Sequence, residues 1–144
     1  MQFTKFFTEN AGVAFGCGIR RNIDQFNEYQ DGGIVISMGK DTVSDPDDDT
    51  GQRGLVVDFI GTALVVKDIY KPKYQYVGSR GGNHTFRIPM TGDLSYEYLI
   101  AGAWSEGAVN NTPGKFKEYV IKSAKEYNNP VKVRFEGIEY KNEL

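Results

Sequence analysis

The chain has one cysteine, one histidine and one tryptophan among its 144 residues, and each scarcity removes a class of chemistry. A lone Cys17 cannot form an intramolecular disulfide, and within GVAFGCGI it reads as a buried structural thiol. A lone His84 cannot build a histidine-rich metal site, and with the thiol assigned to the interior no zinc cluster is expected. No run approaches the roughly 18 consecutive apolar residues of a membrane-spanning helix, and MQFTKFFTEN lacks the apolar core of a signal peptide. Basic excess is missing too. With 17 Lys and Arg against 19 Asp and Glu, the formal charge is -2, leaving no surplus to displace phosphate counterions, so no nucleic-acid partner is expected. No Ser-His-Asp order or phosphate-cradling glycine loop occurs. The GxG of GCGIRR meets Arg20 and Arg21 where a third glycine would stand, and no βαβ unit follows. No cofactor is therefore expected.

What the chain does have is 17 glycines, 9 tyrosines and 9 phenylalanines, a balance suited to antiparallel strands with glycine turns. Alternation predicts strands over 2–8, 12–20, 33–38, 54–60, 62–68, 84–90 and 96–104, and a final strand from 131, with 70–78 as an aromatic-rich edge strand or loop. Only Gly61 separates the fourth and fifth runs, so they form either a hairpin or one bent strand with a bulge. The polar stretch 21–31 reads as a connection holding a short turn. One segment follows a different period. Phe116, Tyr119, Val120, Ser123, Ala124 and Tyr127 recur at helical spacing, with Thr112 as N-cap, Pro113 at the first helical position and Asn128 or Asn129 as a left-handed C-terminal residue before Pro130. The expected fold is a mainly β, antiparallel β-sandwich spanning residues 1–144 as one domain, with a single C-terminal α-helix on a sheet edge or face.

Three places suggest chemistry. In SDPDDDTGQ, Asp45, Asp47 and Asp49 have the i, i+2, i+4 spacing of a calcium loop. Counted from Asp45, however, Thr50 stands where the loop needs glycine and Val56 where it needs the bidentate glutamate. What remains is a solvated turn or an optional cation site, and no metal centre is assigned. His84 is a candidate general base, or a hydrogen-bonding group for a sugar hydroxyl, with a structural histidine as the plainer alternative. Trp104 stands two residues before Glu106. An indole face can stack on sugar C–H groups while a carboxylate accepts from hydroxyls, although a core tryptophan fits the same sequence. These assignments make His84 and Glu106 the candidate catalytic residues and Trp104, Arg20 and Arg80 the candidate substrate-binding residues. Arg20 and Arg21 have the planar fork that grips a uronate carboxylate, and Arg80 lies in the turn before His84. Strand parity sets His84 and Arg87 on opposite faces.

The order GVAFGCGI, GIVISMG, GLVVDFIGTALVV, NHTFRIPM and YLIAGAWSEG, followed by a helix and NPVKV, resembles the C-terminal part of an uncharacterised bacterial family. Its members have a galactose-mutarotase-like β-sandwich and occur in polysaccharide-utilisation loci. The best-matching pieces are Ala101-Gly102-Ala103-Trp104 and Asn129-Pro130-Val131. The resemblance implies a carbohydrate partner, an activity of binding or processing polysaccharide-derived sugars, and a periplasmic or secreted location. It also implies that the chain is a fragment of a longer protein, a half-sandwich whose catalytic partners can lie outside it. A non-catalytic structural or interaction domain of a larger assembly is the competing expectation.

Overall fold

A computed structural model describes residues 14–20, 24–44, 54–78, 82–89 and 95–133. Seven strands come first: β1 (Ala14–Arg20), β2 (Asp24–Asp31), β3 (Ile34–Ser44), β4 (Gly54–Val66), β5 (Lys73–Val77), β6 (Asn83–Pro89) and β7 (Tyr98–Trp104). One helix, α1 (Pro113–Asn128), follows them, and a short 3₁₀ turn occupies Asp68–Tyr70. The strands form two antiparallel sheets in the orders β1-β6-β5 and β2-β3-β4-β7. The expected mainly β architecture with one C-terminal helix is what the chain adopts.

The four-stranded sheet is the middle layer, and period two decides what each side chain meets. Val35, Leu64 and Val66 point to the three-stranded sheet, where they pack with Ile19, Phe86 and Ile88. Ile36, Met38, Phe59, Ala63 and Val65 point the other way and pack against Phe116, Val120 and Ala124 of α1. Because both faces are covered, β3 and β4 read as nearly continuous apolar runs rather than as alternating ones. The helical stripe docks as expected, with Tyr119 exposed at its margin. Burying Phe116 and Val120 contributes about 1.5–3 kcal/mol each. Thr112 caps the helix, its Oγ1 accepting from Lys115 N at 3.4 Å. The far end differs from the expected left-handed cap. Asn129 sits at φ -127, and its side-chain Nδ2 donates to the Lys125 carbonyl at 3.1 Å, so the terminal turn is satisfied without positive φ.

Other differences have physical causes. Residues 24–31, expected as a connection, form β2. Among the described residues this edge strand pairs with β3 alone, and its polar sequence DQFNEYQD suits a solvated edge more than a core. Of the two expected forms the chain takes the single strand with a bulge: β4 continues through Gly61, paired to Met38 on one side and Ala103 on the other, and the extra residue lies in β4 between Val57 and Ile60, opposite Gly39 and Asp41 of β3. Residues 131–133 are exposed and not in a strand. Cys17, expected to be buried, is partly exposed beside the inter-sheet core, and burial still pushes its thiol pKa up. The expected strand 2–8, the acidic Asp45, Asp47 and Asp49, Arg21, Arg80 and the remainder of the last strand lie outside the described residues.

Candidate functional site

β6 alternates outward Asn83, Arg87 and Pro89 with inward His84, Phe86 and Ile88, which separates His84 from Arg87 as parity requires. His84 is 1% exposed. Its Nδ1 lies 2.8 Å from Tyr74 Oη on β5 and 3.4 Å from Glu28 Oε1 on β2. Tyr74 Oη donates to the same carboxylate oxygen at 3.2 Å. A carboxylate only accepts, so the arrangement that satisfies all three groups has Tyr74 donating to Glu28 and His84 Nδ1–H donating to Tyr74. The Tyr74 phenol is raised above its ordinary pKa, chiefly by burial and then by the charge and hydrogen bond of Glu28. Tyr76 sets its ring edge-on to the imidazole with centroids 5.3 Å apart. The imidazole is thus closed to solvent and ties one sheet to the other.

Ser37 and Thr62 extend this polar row across the middle sheet, since Glu28 pairs with Ser37 and Ser37 with Thr62. Ser37 is fully buried. Thr62 Oγ1 is buried without a hydrogen-bond partner among the described residues.

Trp104 and Glu106 lie at the other edge of that sheet. The chain folds back after β7, with Ser105 N donating to the Phe59 carbonyl at 2.9 Å and Gly107 N to the Trp104 carbonyl at 3.1 Å. Ser105 Oγ donates to Glu106 Oε1 at 3.1 Å. Glu106 is exposed, and the Trp104 indole is 40% exposed. From Glu28 on β2, the path to β7 crosses β3 and β4, three strand spacings or about 14 Å. The His84 network and Glu106 therefore do not meet. Arg20 ends β1 opposite Asn83.

A third place was not singled out from the sequence. Between the β2–β3 turn and the C-terminal end of α1 lies a cleft of ≈ 460 Å³, within the usual size range of ligand sites. Tyr29, Ile34, Ile121 and Ala124 supply apolar wall, and Asp31, Asp68, Lys125, Asn128 and Asn129 supply polar groups. Asn128 braces the cleft by accepting from Asp68 N at 2.9 Å and donating to the Ala124 carbonyl at 3.1 Å. Tyr29 donates to Asp31 at 3.4 Å, and its phenol pKa is raised by burial first and by Asp31 second. Among the described residues, the Asp68 carboxylate makes no ion pair or hydrogen bond. Gly32, at φ +51, turns the chain at the rim. Gly33 follows, and a Cβ there would meet the Val66 carbonyl. No short motif connects positions 31, 68 and 125, because the cleft exists only once a hairpin, a 3₁₀ turn and a helix end are assembled.

Compared with known proteins, the chain matches no family model, no curated protein and no solved structure. Among the described residues no helix is long and apolar enough to cross a membrane, and no group of three or more His, Cys, Asp or Glu could hold a metal ion.

Proposed function

We propose that the chain is a carbohydrate-binding domain that holds a polysaccharide-derived sugar in the cleft at the C-terminal end of α1. The observation that carries this reading is the cleft's lining, where the Asp68 carboxylate, without an ion pair or hydrogen bond among the described residues, converges with Lys125 and Asn129 on an apolar wall. A sugar offers both kinds of surface. Its C–H faces desolvate against Tyr29 and Ile121, while its hydroxyls donate to carboxylates and accept from Lys125 and the Asn129 amide. Binding is favoured over processing because His84 is closed to solvent and separated from Glu106.

Two carboxylates against one lysine, at the negative end of the helix dipole, favour neutral sugars over uronates. Calorimetric titration with neutral and acidic oligosaccharides is expected to show tighter binding of the neutral set. Asp68→Ala removes a charge-assisted hydrogen bond of about 1.5–3 kcal/mol, a weakening of about tenfold or more, and Trp104→Ala leaves affinity unchanged. No binding to any oligosaccharide defeats the reading. Loss on Trp104→Ala with none on Asp68→Ala moves the site to β7.

A further inference from the structure

Sheet edges are templates for strand pairing, and proteins blunt them with charge, proline, bulges or shortness. The described residues leave four edge strands, β1, β5, β2 and β7. β2 carries Asp24, Glu28 and Asp31 and has a register shift between Gln25 and Asn27. β5 is only 5 residues long, begins with Lys73 and follows Pro72. β1 ends in Arg20. β7 has none of these devices. Its sequence YLIAGAW has no charge and no proline, and its ladder with β4 runs from Tyr98 to Trp104 without a shift.

The side chains of β7 are also exposed where a folded domain normally covers them. Ile100 is 61% exposed, Tyr98 44% and Trp104 40%, all on the face opposite Leu99, Ala101 and Ala103, which pack toward α1. Phe15 of β1, 36% exposed, extends the patch by stacking on Tyr96 at 5.7 Å and tilting against Tyr98 at 6.4 Å.

We propose that β7 pairs with β7 of a second copy of this chain, antiparallel about a two-fold axis through Ala101, joining two four-stranded sheets into one of eight strands. Three observations select a second copy as the occupant. The first is steric. Faces stay aligned only if residues of like parity oppose one another, and centring on Ala101 sets Ile100 opposite Gly102, Leu99 opposite Ala103 and Tyr98 opposite Trp104. Large residues meet small ones, and the outermost pair is aromatic, the kind that stabilises cross-strand contacts. Centring on Ile100 or Gly102 instead opposes two isoleucines or two glycines. The second is charge. In the Ala101 register Glu97 falls opposite Ser105 and Glu106 opposite Tyr96, so no like charges oppose each other across the axis. The third is area. The exposed fractions of Phe15, Tyr98, Ile100 and Trp104, applied to side chains that bury ~150–250 Å² when covered, leave roughly 350 Å² per copy. With the backbone edges added, two copies reach about the 1,000 Å² that a specific interface needs. A two-fold contact of this kind is closed and self-limiting. It goes beyond the sugar reading and uses none of the cleft's residues.

Sedimentation velocity from about 1 µM to about 1 mM is expected to show a monomer–dimer equilibrium with a Kd on the order of 10 µM, as suits a small interface. Ile100→Lys, a charge on an exposed face, is expected to weaken it by at least ~10-fold without lowering the melting temperature. In a Cys17→Ser background, Ala101→Cys brings two thiols together across the axis, with a self-paired Cα separation of about 4.5–5.5 Å that a disulfide accepts. Oxidation is then expected to trap a covalent dimer, whereas Ile100→Cys, which faces Gly102, traps none. A wild-type chain that stays monomeric throughout the range overturns the proposal. So does a dimer that Ile100→Lys leaves intact and Ala101→Cys fails to trap.

Discussion

Replacing Gly61 with alanine is expected to lower the melting temperature by about 6–9 °C, and replacing it with valine by more. Gly61 lies within β4 beneath α1, against the Phe116 ring. A Cβ built there would stand 2.5 Å from Phe116 Cδ1, 2.6 Å from Cε1 and 2.8 Å from Phe59 Cζ. Neither ring can give way easily. Phe116 is fully buried and Phe59 nearly so, and the two are tilted against each other with centroids 6.0 Å apart. The added methyl must lift the helix, loosening Val120 and Ala124 from Ile36, Met38 and Ala63. Overpacking of this kind costs about 1–3 kcal/mol. The rigidity of the rings favours the upper part of that range, and a domain of this size loses about 3 °C per kcal/mol. Thermal denaturation followed by circular dichroism measures the effect. Phe116→Leu, destabilising alone, is expected to recover part of the Gly61→Ala loss in the double variant, with a coupling of about 1 kcal/mol or more. A neutral Gly61→Ala variant would mean that α1 does not approach β4 this closely.

Gly61 also marks where the sequence was legible and where it was not. Between GLVVDFI and TALVVKD a glycine has two local meanings, the turn of a hairpin or a bend in one bulged strand. Both are local readings, whereas the actual reason is Phe116, 55 positions along the chain. The helix itself was legible in nearly every respect, because its 3.6-residue period, its Thr112 cap and Pro113 all lie within one short stretch. So was the face of His84, since period two within β6 requires no partner to interpret. β2 was missed because an edge strand with a polar outer surface carries little apolar alternation, and its pairing with β3 is what makes it a strand. The cleft was not legible at all. Asp68 and Lys125 are ordinary surface residues until the 3₁₀ turn and the helix end meet, and Asn128 reads locally as a helix cap. Nothing local to Trp104 reveals that its strand ends the sheet among the described residues.

His84→Ala is expected to destabilise the fold by about 2–4 kcal/mol, a combination of the cavity left by a buried ring and the unmet hydrogen-bonding groups around it. The histidine is the point at which three strands from both sheets exchange hydrogen bonds. Removing it leaves the Tyr74 oxygen without the N–H that it accepts from. Tyr74→Phe is a milder test that keeps the ring and its contact with Phe86, and it should cost about 1–2 kcal/mol near neutral pH. It should also change the alkaline limb of stability. The folded-state pKa of Tyr74 is raised above the unfolded value near 10. Its stabilisation is therefore fully present below that value and is lost as pH rises through the folded pKa, because over that window the native state holds a proton the unfolded chain has released. Tyr74→Phe removes this share of the slope, while Tyr29 and Tyr127, also raised chiefly by burial, retain theirs. Denaturant unfolding between about pH 8 and about pH 12 should show the variant and the native chain differing less at the top of the range than at pH 8. The same measurement separates the two roles open to the histidine. A general base serving a substrate would leave stability nearly unchanged when replaced, whereas a tie between the sheets must weaken the fold. A melting temperature unmoved by His84→Ala would return the imidazole to the list of chemically available groups, and would require the inter-sheet packing of Ile19, Phe86 and Ile88 to hold the layers together without it.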